Sequence, residues 1–378
     1  MISFFYFLQL LYNWPRVLMI TWNSWSTTAE HMEHVVKIHY TSGDVWNSAD
    51  EELLTKVCIE AIAPSGKDAT LKYQIFEDNE ILYKEVVSAE HKLVLRINPA
   101  RSYHVKLFKN NIHVASEQFP RFWLAAIGDS FSSGQGNPAP VSPKWLDQLC
   151  YRSSNSFVYQ VYRKIAQKCA LFTFLSCSGA SVDHGILSEN GQVDKLRRMI
   201  EKRGAPPDVL LLTIGGNDIG FTDILSQIQE GIQLDATSID MRFFYVFHQL
   251  DRIGQQLAEL QIPKIILPTY YDISRNEMGE VDASCGLFGE NVAKVNLMVA
   301  ERRILRRLND LLRRKAEKYG WVIVDTTDIF RRRGLCSLRS LIRSRNESLH
   351  LQGNEYGSFH PNSEGHRLIS QKIVEILT

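Results

Sequence analysis

The stretch VLLLTIGGND at residues 209–218 decides the fold class. Its first six positions are almost all apolar, which is typical of a strand buried on both faces. Similar runs lie at residues 122–127, 171–175, 264–267 and 321–324. Helical patterns separate these runs, at residues 157–167, 241–260 and 292–319. Buried strands that alternate with helices predict an α/β protein with a parallel sheet.

Residues 30–119 show a different pattern, in which short strands follow one another with turn residues between them. The strands are predicted at residues 35–40, 54–62, 71–76, 81–87, 93–97, 103–108 and 112–115. This spacing predicts an accessory β-sandwich of immunoglobulin or fibronectin type. It contains no catalytic motif, so packing and the binding of carbohydrate or protein both stay open as its role. The second domain then covers residues 120–378.

The first 29 residues contain an apolar run at 2–12 and a second run up to Trp22. Pro15 and Arg16 interrupt them, which favours a signal peptide over a membrane-spanning helix. A misassigned start or a membrane-edge anchor is the alternative. The even number of cysteines, six, and the glycosylation sequon at Asn346 fit a secreted glycoprotein.

The net charge of +1 gives no general attraction to nucleic acid or to a membrane. Residues 301–345 differ, with 14 Lys and Arg against 5 Asp and Glu. We interpret this basic region mainly as the solvated outer face of a helix, with contact to anionic lipid or polysaccharide surfaces as the alternative. No spacing of His, Cys and Asp suits a metal site, so neither metal nor cofactor is predicted.

Three polar motifs follow three successive predicted strands: GDSFSSGQG at 128–136, SCSGAS at 176–181 and GGND at 215–218. The active site of a parallel sheet forms at the carboxyl ends of its strands. There, glycines allow a tight turn that exposes the Ser130 hydroxyl. Gly179 offers a backbone N–H and Asn217 a side-chain amide. Such donors, aimed at one point, stabilise a developing oxyanion.

A serine nucleophile needs a base, and the segment SFHPNSEGH at residues 358–366 supplies candidates. The proline and the polar residues after it indicate the start of a helix with an apolar face at 368–377. His360 is therefore predicted in the loop just before this helix. His366 is expected to pack or cap within the helix, and His350 is a weaker alternative base.

Taken in order, these four motifs resemble the SGNH (GDSL-type) hydrolases over residues 121–378. The resemblance implies a three-layer α/β/α domain with flavodoxin-like strand order. It also implies Ser130 as nucleophile and oxyanion donor, Gly179 and Asn217 as the other donors, and His360 as general base. Asp129 and Asp218 would then be structural, bonding the loops around the site.

A closer likeness is to secreted esterases, lipases and phospholipases of this family, through the segments CYRS at 150–153 and CSGA at 177–180. It implies two disulfides, Cys150–Cys177 and Cys285–Cys336. Cys58 and Cys169 have no assigned partner and are interpreted as free, buried thiols.

One position departs from the family pattern. Most members carry an Asp three residues before the catalytic His, where this chain has Gly357. The Gly357 carbonyl is the expected substitute for orienting His360, and Glu355 is the alternative. Tyr270 and Tyr271, after the fourth strand, are expected mainly to pack and alternatively to line a pocket.

The resulting prediction is a serine esterase or lipase that acts on a lipid ester or an acylated carbohydrate. Two alternatives stay open. One is a catalytically silent binding or adhesion protein on a hydrolase scaffold, which the missing Asp motivates. The other is an acyltransferase that uses the same residues.

Overall fold

The computed structural model describes residues 35–47, 52–62, 71–77, 80–87, 92–97, 103–119, 122–140, 144–166, 170–289 and 292–378. At residues 35–47, 52–62, 83–87, 92–97 and 119 the backbone alone is described. The predicted signal peptide at residues 1–29, the Cys58 side chain and Cys169 lie outside this description.

Strands and helices of the described residues are numbered in chain order. The strands are β1 (Val35–Asn47), β2 (Glu52–Ile62), β3 (Leu71–Glu77), β4 (Glu80–Val87), β5 (Lys92–Ile97), β6 (Tyr103–Lys109), β7 (Ile112–Phe119), β8 (Phe122–Ile127), β9 (Ala170–Phe174), β10 (Val209–Leu212), β11 (Ile265–Pro268) and β12 (Val322–Val324). The helices are α1 (Ser130–Ser133), α2 (Phe157–Ile165), α3 (Gln192–Arg203), α4 (Phe221–Gln229), α5 (Ala236–Glu259), α6 (Lys294–Ala300), α7 (Arg307–Tyr319), α8 (Thr327–Phe330), α9 (Arg345–Gln352) and α10 (Ser363–Leu377).

Five parallel strands form the main sheet in the order β9-β8-β10-β11-β12. Counted along the chain, this is the order 2-1-3-4-5 of flavodoxin-like folds. Consecutive residues of β8, β9, β10 and β11 are buried almost throughout, although neighbours along a strand face opposite sides. Both faces of the sheet are therefore covered, and the predicted α/β class with a parallel sheet is confirmed.

The N-terminal strands form two antiparallel groups. β1, β2 and β5 extend the main sheet, because β2 pairs with β9 through Glu52 and Thr173. β4, β3, β6 and β7 form a second sheet in that order. Every second residue of β3 and β6 is buried near the start of each strand, so one face of this sheet is packed. A separate β-sandwich domain at residues 30–119 stays a prediction.

The segment predicted as one helix at residues 292–319 consists of three pieces. A π-helical turn, Glu301–Arg306, joins α6 to α7. π-turns often occur at functional sites, and this one contributes to the wall of the cavity described below. Ile304 of the π-turn and Leu308 of α7 are buried.

Candidate active site

Ser130 is the first residue of α1, directly after the turn that ends β8. Gly128 makes this turn possible. Its φ is 142°, and a Cβ at this position would lie 2.3 Å from Thr213 Oγ1. Asp129 then caps α1 by accepting a hydrogen bond of 3.0 Å from the Phe131 N–H. The turn therefore places Ser130 at the carboxyl edge of the parallel sheet, where the sequence predicts it.

His360 reaches Ser130 from the loop just before α10. Its Nε2 atom lies 2.7 Å from Ser130 Oγ, and its Nδ1 atom lies 3.0 Å from the Ser358 carbonyl oxygen. Because a carbonyl can only accept, Nδ1 carries the proton and Nε2 presents its lone pair to the serine hydroxyl. This tautomer and this distance are what a general base acting on Ser130 requires.

The structure corrects the prediction about the group that orients His360. The Nδ1–H donates to the carbonyl of Ser358, whereas the Gly357 carbonyl accepts a longer hydrogen bond of 3.4 Å from the His360 backbone N–H. Ser358 has extended backbone angles, φ −59° and ψ 146°, and its carbonyl meets the ring two residues along the chain. Glu355, the alternative, instead forms an ion pair of 2.7 Å with Arg345.

Burial lowers the pKa of His360 from its ordinary value of 6.5. The hydrogen bond to the Ser358 carbonyl, the negative charge of Asp129 and, least, the Gly357 backbone raise the pKa, but they do not reverse the shift. The neutral imidazole is the form that can accept a proton from Ser130. A lowered pKa therefore keeps His360 ready to act as a base at neutral pH.

The three candidate oxyanion donors come from three strand ends. Gly179 has a φ of 79°, and its N–H has no hydrogen-bond partner among the described residues. Asn217 donates one amide hydrogen to the Ala180 carbonyl at 2.8 Å, which leaves its second hydrogen free for a ligand. The Ser130 N–H lies in the first turn of α1, where helix donors lack partners within the helix. Asn217 and Ser130 line one cavity, and the bond to Ala180 ties the Gly179 loop to Asn217.

Asp129 anchors the turn that carries Ser130. One of its carboxylate oxygens accepts from the Thr213 hydroxyl at 2.8 Å, and the other accepts from the Tyr270 hydroxyl at 2.6 Å. The same Tyr270 hydroxyl accepts from the Gly216 N–H at 2.9 Å. Burial and the Asp129 charge raise the pKa of Tyr270 well above 10, so the phenol stays protonated. Tyr270 thus links the first and third motifs.

Tyr270 is more than the packing residue that its sequence predicts, and no local signal in the sequence shows that its hydroxyl joins two motifs. Its neighbour Tyr271 donates to the Phe359 carbonyl at 3.1 Å. Both tyrosines also line the cavity beside Ser130, so the alternative expectation for them matches their position.

Asp218 bonds the loop after the second motif, since one of its carboxylate oxygens accepts from the Val182 N–H at 2.9 Å. Its other oxygen is buried without a hydrogen-bond partner in the described part of the chain. Burial raises the pKa of Asp218 to about 6. Asp218 therefore lies where its predicted loop-bonding role requires.

His366 and His350, the other histidines of the sequence prediction, lie apart from the contact between Ser130 and His360. His366 is buried in α10, where its Nδ1 accepts from the Phe157 N–H at 3.2 Å and so caps α2. Burial lowers its pKa to about 3, which keeps the ring neutral and able to accept. His350 lies exposed on α9. The expectation that His366 packs or caps matches its position.

A cavity of about 130 Å³ extends from Ser130 and His360 between α4, the π-turn and α7. Most of its wall is apolar. The apolar side chains of α4, of the π-turn and of the adjoining helices are Phe221, Ile224, Leu225, Ile228, Leu297, Ile304, Leu305 and Leu308. The π-turn also contributes Glu301, which pairs with Arg275 and Arg306. A narrow apolar space beside a nucleophile suits a hydrocarbon chain.

Two disulfides brace the loops around this site, as the resemblance implies. Cys150–Cys177 ties the segment before α2 to the second motif, and Cys285–Cys336 joins two later loops. Buried Arg152 holds the segment beside the first bridge. It is 1% exposed, and its Nε donates to the carbonyl of Ser176, the residue before Cys177, at 2.8 Å.

Within the described ranges, no three His, Cys, Asp or Glu side chains are grouped so that they could hold a metal ion. In the same part of the chain, no helix combines the length and apolar character that a membrane span requires.

Comparisons with known proteins identify the family. Residues 126–368 match the model of the GDSL-like lipase/acylhydrolase family. A lipase from Streptomyces rimosus is 23% identical over 240 residues, which cover 61% of this chain and 80% of the lipase.

Among solved structures, the extracellular lipase from Streptomyces rimosus is similar with a TM-score of 0.48 and 19% identity, over 68% of this chain and all of that one. A carbohydrate esterase family 2 enzyme with a carbohydrate-binding domain, from Corynascus thermopiles (Myceliophthora fergusii), has a TM-score of 0.38 and 14% identity, over 90% and 98% of the two chains. Since the family model covers more than half of the sequence, the chain belongs to the GDSL-like lipase/acylhydrolase family and is a carboxylic ester hydrolase.

Proposed function

We propose that Ser130 is the nucleophile and His360 the general base of ester hydrolysis by this protein. The observation that carries the proposal is the 2.7 Å contact between Ser130 Oγ and His360 Nε2 beside an apolar cavity. His360 takes the hydroxyl proton while Ser130 Oγ attacks the ester carbonyl carbon. The Ser358 carbonyl holds the imidazole in the required tautomer and accepts the Nδ1–H of the imidazolium that forms.

The negative charge that develops on the ester oxygen needs donors that are already in place. The N–H groups of Ser130 and Gly179 and the free amide hydrogen of Asn217 supply them. His360 then protonates the departing alcohol, and an acyl ester on Ser130 remains. A water molecule, deprotonated by His360, attacks this ester and releases the carboxylic acid. Ser130 recovers its proton from His360.

The cavity wall supports a lipid ester as the substrate. Because the wall is mainly aliphatic and aromatic, it would bind a hydrocarbon acyl chain and leave the hydroxyl groups of a sugar without partners. Acylated carbohydrate with a short acyl group is the second candidate, since the sugar could stay outside the cavity.

The test is hydrolysis of p-nitrophenyl esters of increasing chain length, together with a phospholipid and an acetylated sugar. We expect Ser130→Ala to lose hydrolysis of p-nitrophenyl acetate by several orders of magnitude while its thermal unfolding stays close to the wild type. Ser226→Ala, an exposed serine on α4, is the matched control and should retain activity. Unchanged turnover in Ser130→Ala would reject Ser130 as the nucleophile.

A catalytically silent binding protein and an acyltransferase are the competing functions. The missing Asp motivated the first, and the Ser358 carbonyl now offers a partner for His360 without it. Labelling of Ser130 by a fluorophosphonate probe would exclude the silent alternative. Product analysis in the presence of an alcohol acceptor distinguishes transfer from hydrolysis.

We also propose that the chain is secreted and divided into a signal peptide at residues 1–29, a β-sandwich at 30–119 and a hydrolase domain at 120–378. Two disulfides support an oxidising compartment, and the Streptomyces rimosus relative is described as extracellular. The packed face of β3 and β6 supports a sandwich. Asn346 is exposed at the start of α9, which supports its glycosylation.

Contact of the basic region at residues 301–345 with anionic surfaces remains part of the proposal. Ion pairs offset some of its charge: Arg307 pairs with Asp240, and Lys315 and Lys318 both pair with Asp251.

A further inference from the structure

Helix α5 exposes apolar side chains on its outer face. Met241 and Phe244 are each 64% exposed, and Phe247 is 45% exposed. A surface helix ordinarily presents polar residues to solvent, while its apolar stripe faces the core. Exposed apolar side chains that lie together often mark an interaction surface.

These side chains adjoin cationic residues of α7. Phe244 and Phe247 line a groove of about 300 Å³ with Arg307, Leu311 and Arg314. The spacing of four and seven residues puts the three α7 side chains on one face of that helix. The α5–α7 surface is defined by Met241, Phe244, Phe247, Arg307, Leu311 and Arg314.

The charge of the α5–α7 surface is positive. Asp240 is the acid that lines the groove, and it pairs with Arg307. Arg314 is exposed and has no ion-pair partner among the residues that the structure describes. Behind the groove, Lys315 Nζ lies 3.3 Å from the centre of the Phe247 ring and pairs with Asp251 at 2.7 Å. Aromatic side chains are therefore combined with arginine on one face.

We propose that the α5–α7 surface docks on an anionic phospholipid membrane. Phenylalanine and methionine side chains can enter the boundary between headgroups and acyl chains, and arginines can bind the lipid phosphates. A second copy of the chain fits less well. A symmetric dimer through this surface would bring Arg307 and Arg314 of both copies together, and Asp240 compensates only one arginine in each copy.

The position of this surface suits an enzyme that takes its substrate from a membrane. Arg307 lines the groove, and its neighbour Leu308 lines the cavity that contains Ser130. Helix α7 thus separates the docking surface from the cavity. Phe221, which lines the cavity, is itself 39% exposed. A membrane docked there would lie across α7 from the cavity that contains Ser130.

The test is co-sedimentation of the full chain with vesicles of ether-linked lipids, which carry no ester to hydrolyse. One set contains phosphatidylcholine alone, and the other also contains phosphatidylglycerol. The variants are Phe244→Ser/Phe247→Ser and Arg314→Gln. Their matched controls are Leu338→Ser, an exposed leucine elsewhere, and Arg332→Gln, another exposed arginine of the basic region. Turnover of soluble p-nitrophenyl acetate checks that each variant is folded.

We expect the wild type to bind the anionic vesicles, with weaker binding at high salt and to phosphatidylcholine alone. The double Phe variant should bind about tenfold more weakly. Arg314→Gln should bind about fivefold more weakly. The two controls should bind like the wild type, and all variants should retain turnover of the soluble ester.

Equal binding by Phe244→Ser/Phe247→Ser and the wild type would overturn the proposal, as would absence of binding to anionic vesicles at low salt. An equal effect of Arg314→Gln and Arg332→Gln would do the same, because it would assign the attraction to the whole basic region. A wild-type dimer that the double Phe variant converts to a monomer, without vesicle binding, would assign this surface to self-association. Because the lipids cannot be hydrolysed, these outcomes do not depend on Ser130 chemistry.

Discussion

Gly357, three residues before His360, packs its backbone against the backbone of Gly136. A Cβ on Gly357 would lie 2.5 Å from the Gly136 Cα and 2.8 Å from Ser348 Oγ. The carboxylate that most family members carry at this position therefore has no room in this chain. The glycine here follows from the close approach of two loops, and the Ser358 carbonyl takes over the contact with His360.

Restoring the family residue should accordingly harm the enzyme. We expect Gly357→Asp to lower the free energy of unfolding by about 1–3 kcal/mol or more through overpacking. It should also reduce ester hydrolysis, because the shifted loop carries His360. Thermal unfolding and kcat/KM for p-nitrophenyl acetate measure the two effects. Increased activity at unchanged stability would show that the position can accept the acid of a triad.

The pH dependence of catalysis should reflect the burial of His360. Because burial lowers its pKa, the ring stays neutral further into the acidic range than an exposed histidine does. Activity should rise with pH as His360 loses its proton, with the midpoint of this rise in kcat/KM below about 6.5. A pH profile on a substrate that does not titrate measures it. A midpoint above neutrality would contradict the direction of the shift.

Asn217 has two tasks that can be measured separately. Its amide donates to the Ala180 carbonyl and also offers a hydrogen to the oxyanion. We expect Asn217→Ala to reduce kcat by about 10²–10³, as removal of a single oxyanion donor does elsewhere. Chemical denaturation would report the structural part through the loss of one hydrogen bond. A loss in kcat of less than about tenfold would remove Asn217 from the oxyanion hole.

Tyr270→Phe tests the link between the first and third motifs. The substitution leaves an oxygen of the buried Asp129 carboxylate and the Gly216 N–H without the partner that they share. We expect a loss of about 1–3 kcal/mol in the free energy of unfolding. Tyr271→Phe is the matched control, since it removes only the bond to the Phe359 carbonyl. Equal losses in the two variants would deny Tyr270 this linking role.

The sequence predicts the parallel strands of the main sheet better than it predicts the strand pairing at the edge of that sheet or the π-turn. Runs such as residues 209–212 are apolar because both faces of their strands are buried, so the pattern alone identifies a parallel sheet. The pairing of β2 with β9 joins residues far apart in the chain, and no local periodicity encodes such a pairing. The π-turn Glu301–Arg306 is equally hidden from the sequence, because the pattern of residues 292–319 fits an ordinary α-helix.

In the candidate site too, the sequence predicts some features and not others. Motifs at strand ends predicted that Ser130 and Asn217 share one cavity, because the topology brings the carboxyl ends of the parallel strands to one edge. The choice between the Gly357 and Ser358 carbonyls depends on a few backbone torsion angles in one loop. The amino-acid sequence does not determine those torsion angles closely enough to decide between the two carbonyls. The same holds for the Tyr270 hydroxyl, whose two partners come from distant segments.

Because the Ser358 carbonyl, a main-chain group, accepts from His360, mutation affects this contact differently from a side-chain contact. A side-chain acid can be deleted by one altered codon, whereas every amino acid at position 358 brings a carbonyl oxygen. Missense changes at this position therefore keep a carbonyl oxygen that can accept from the His360 ring. Insertions or deletions between Gly353 and His360 would displace it, so we expect the length of this loop to be under stronger selection than the identity of residue 358.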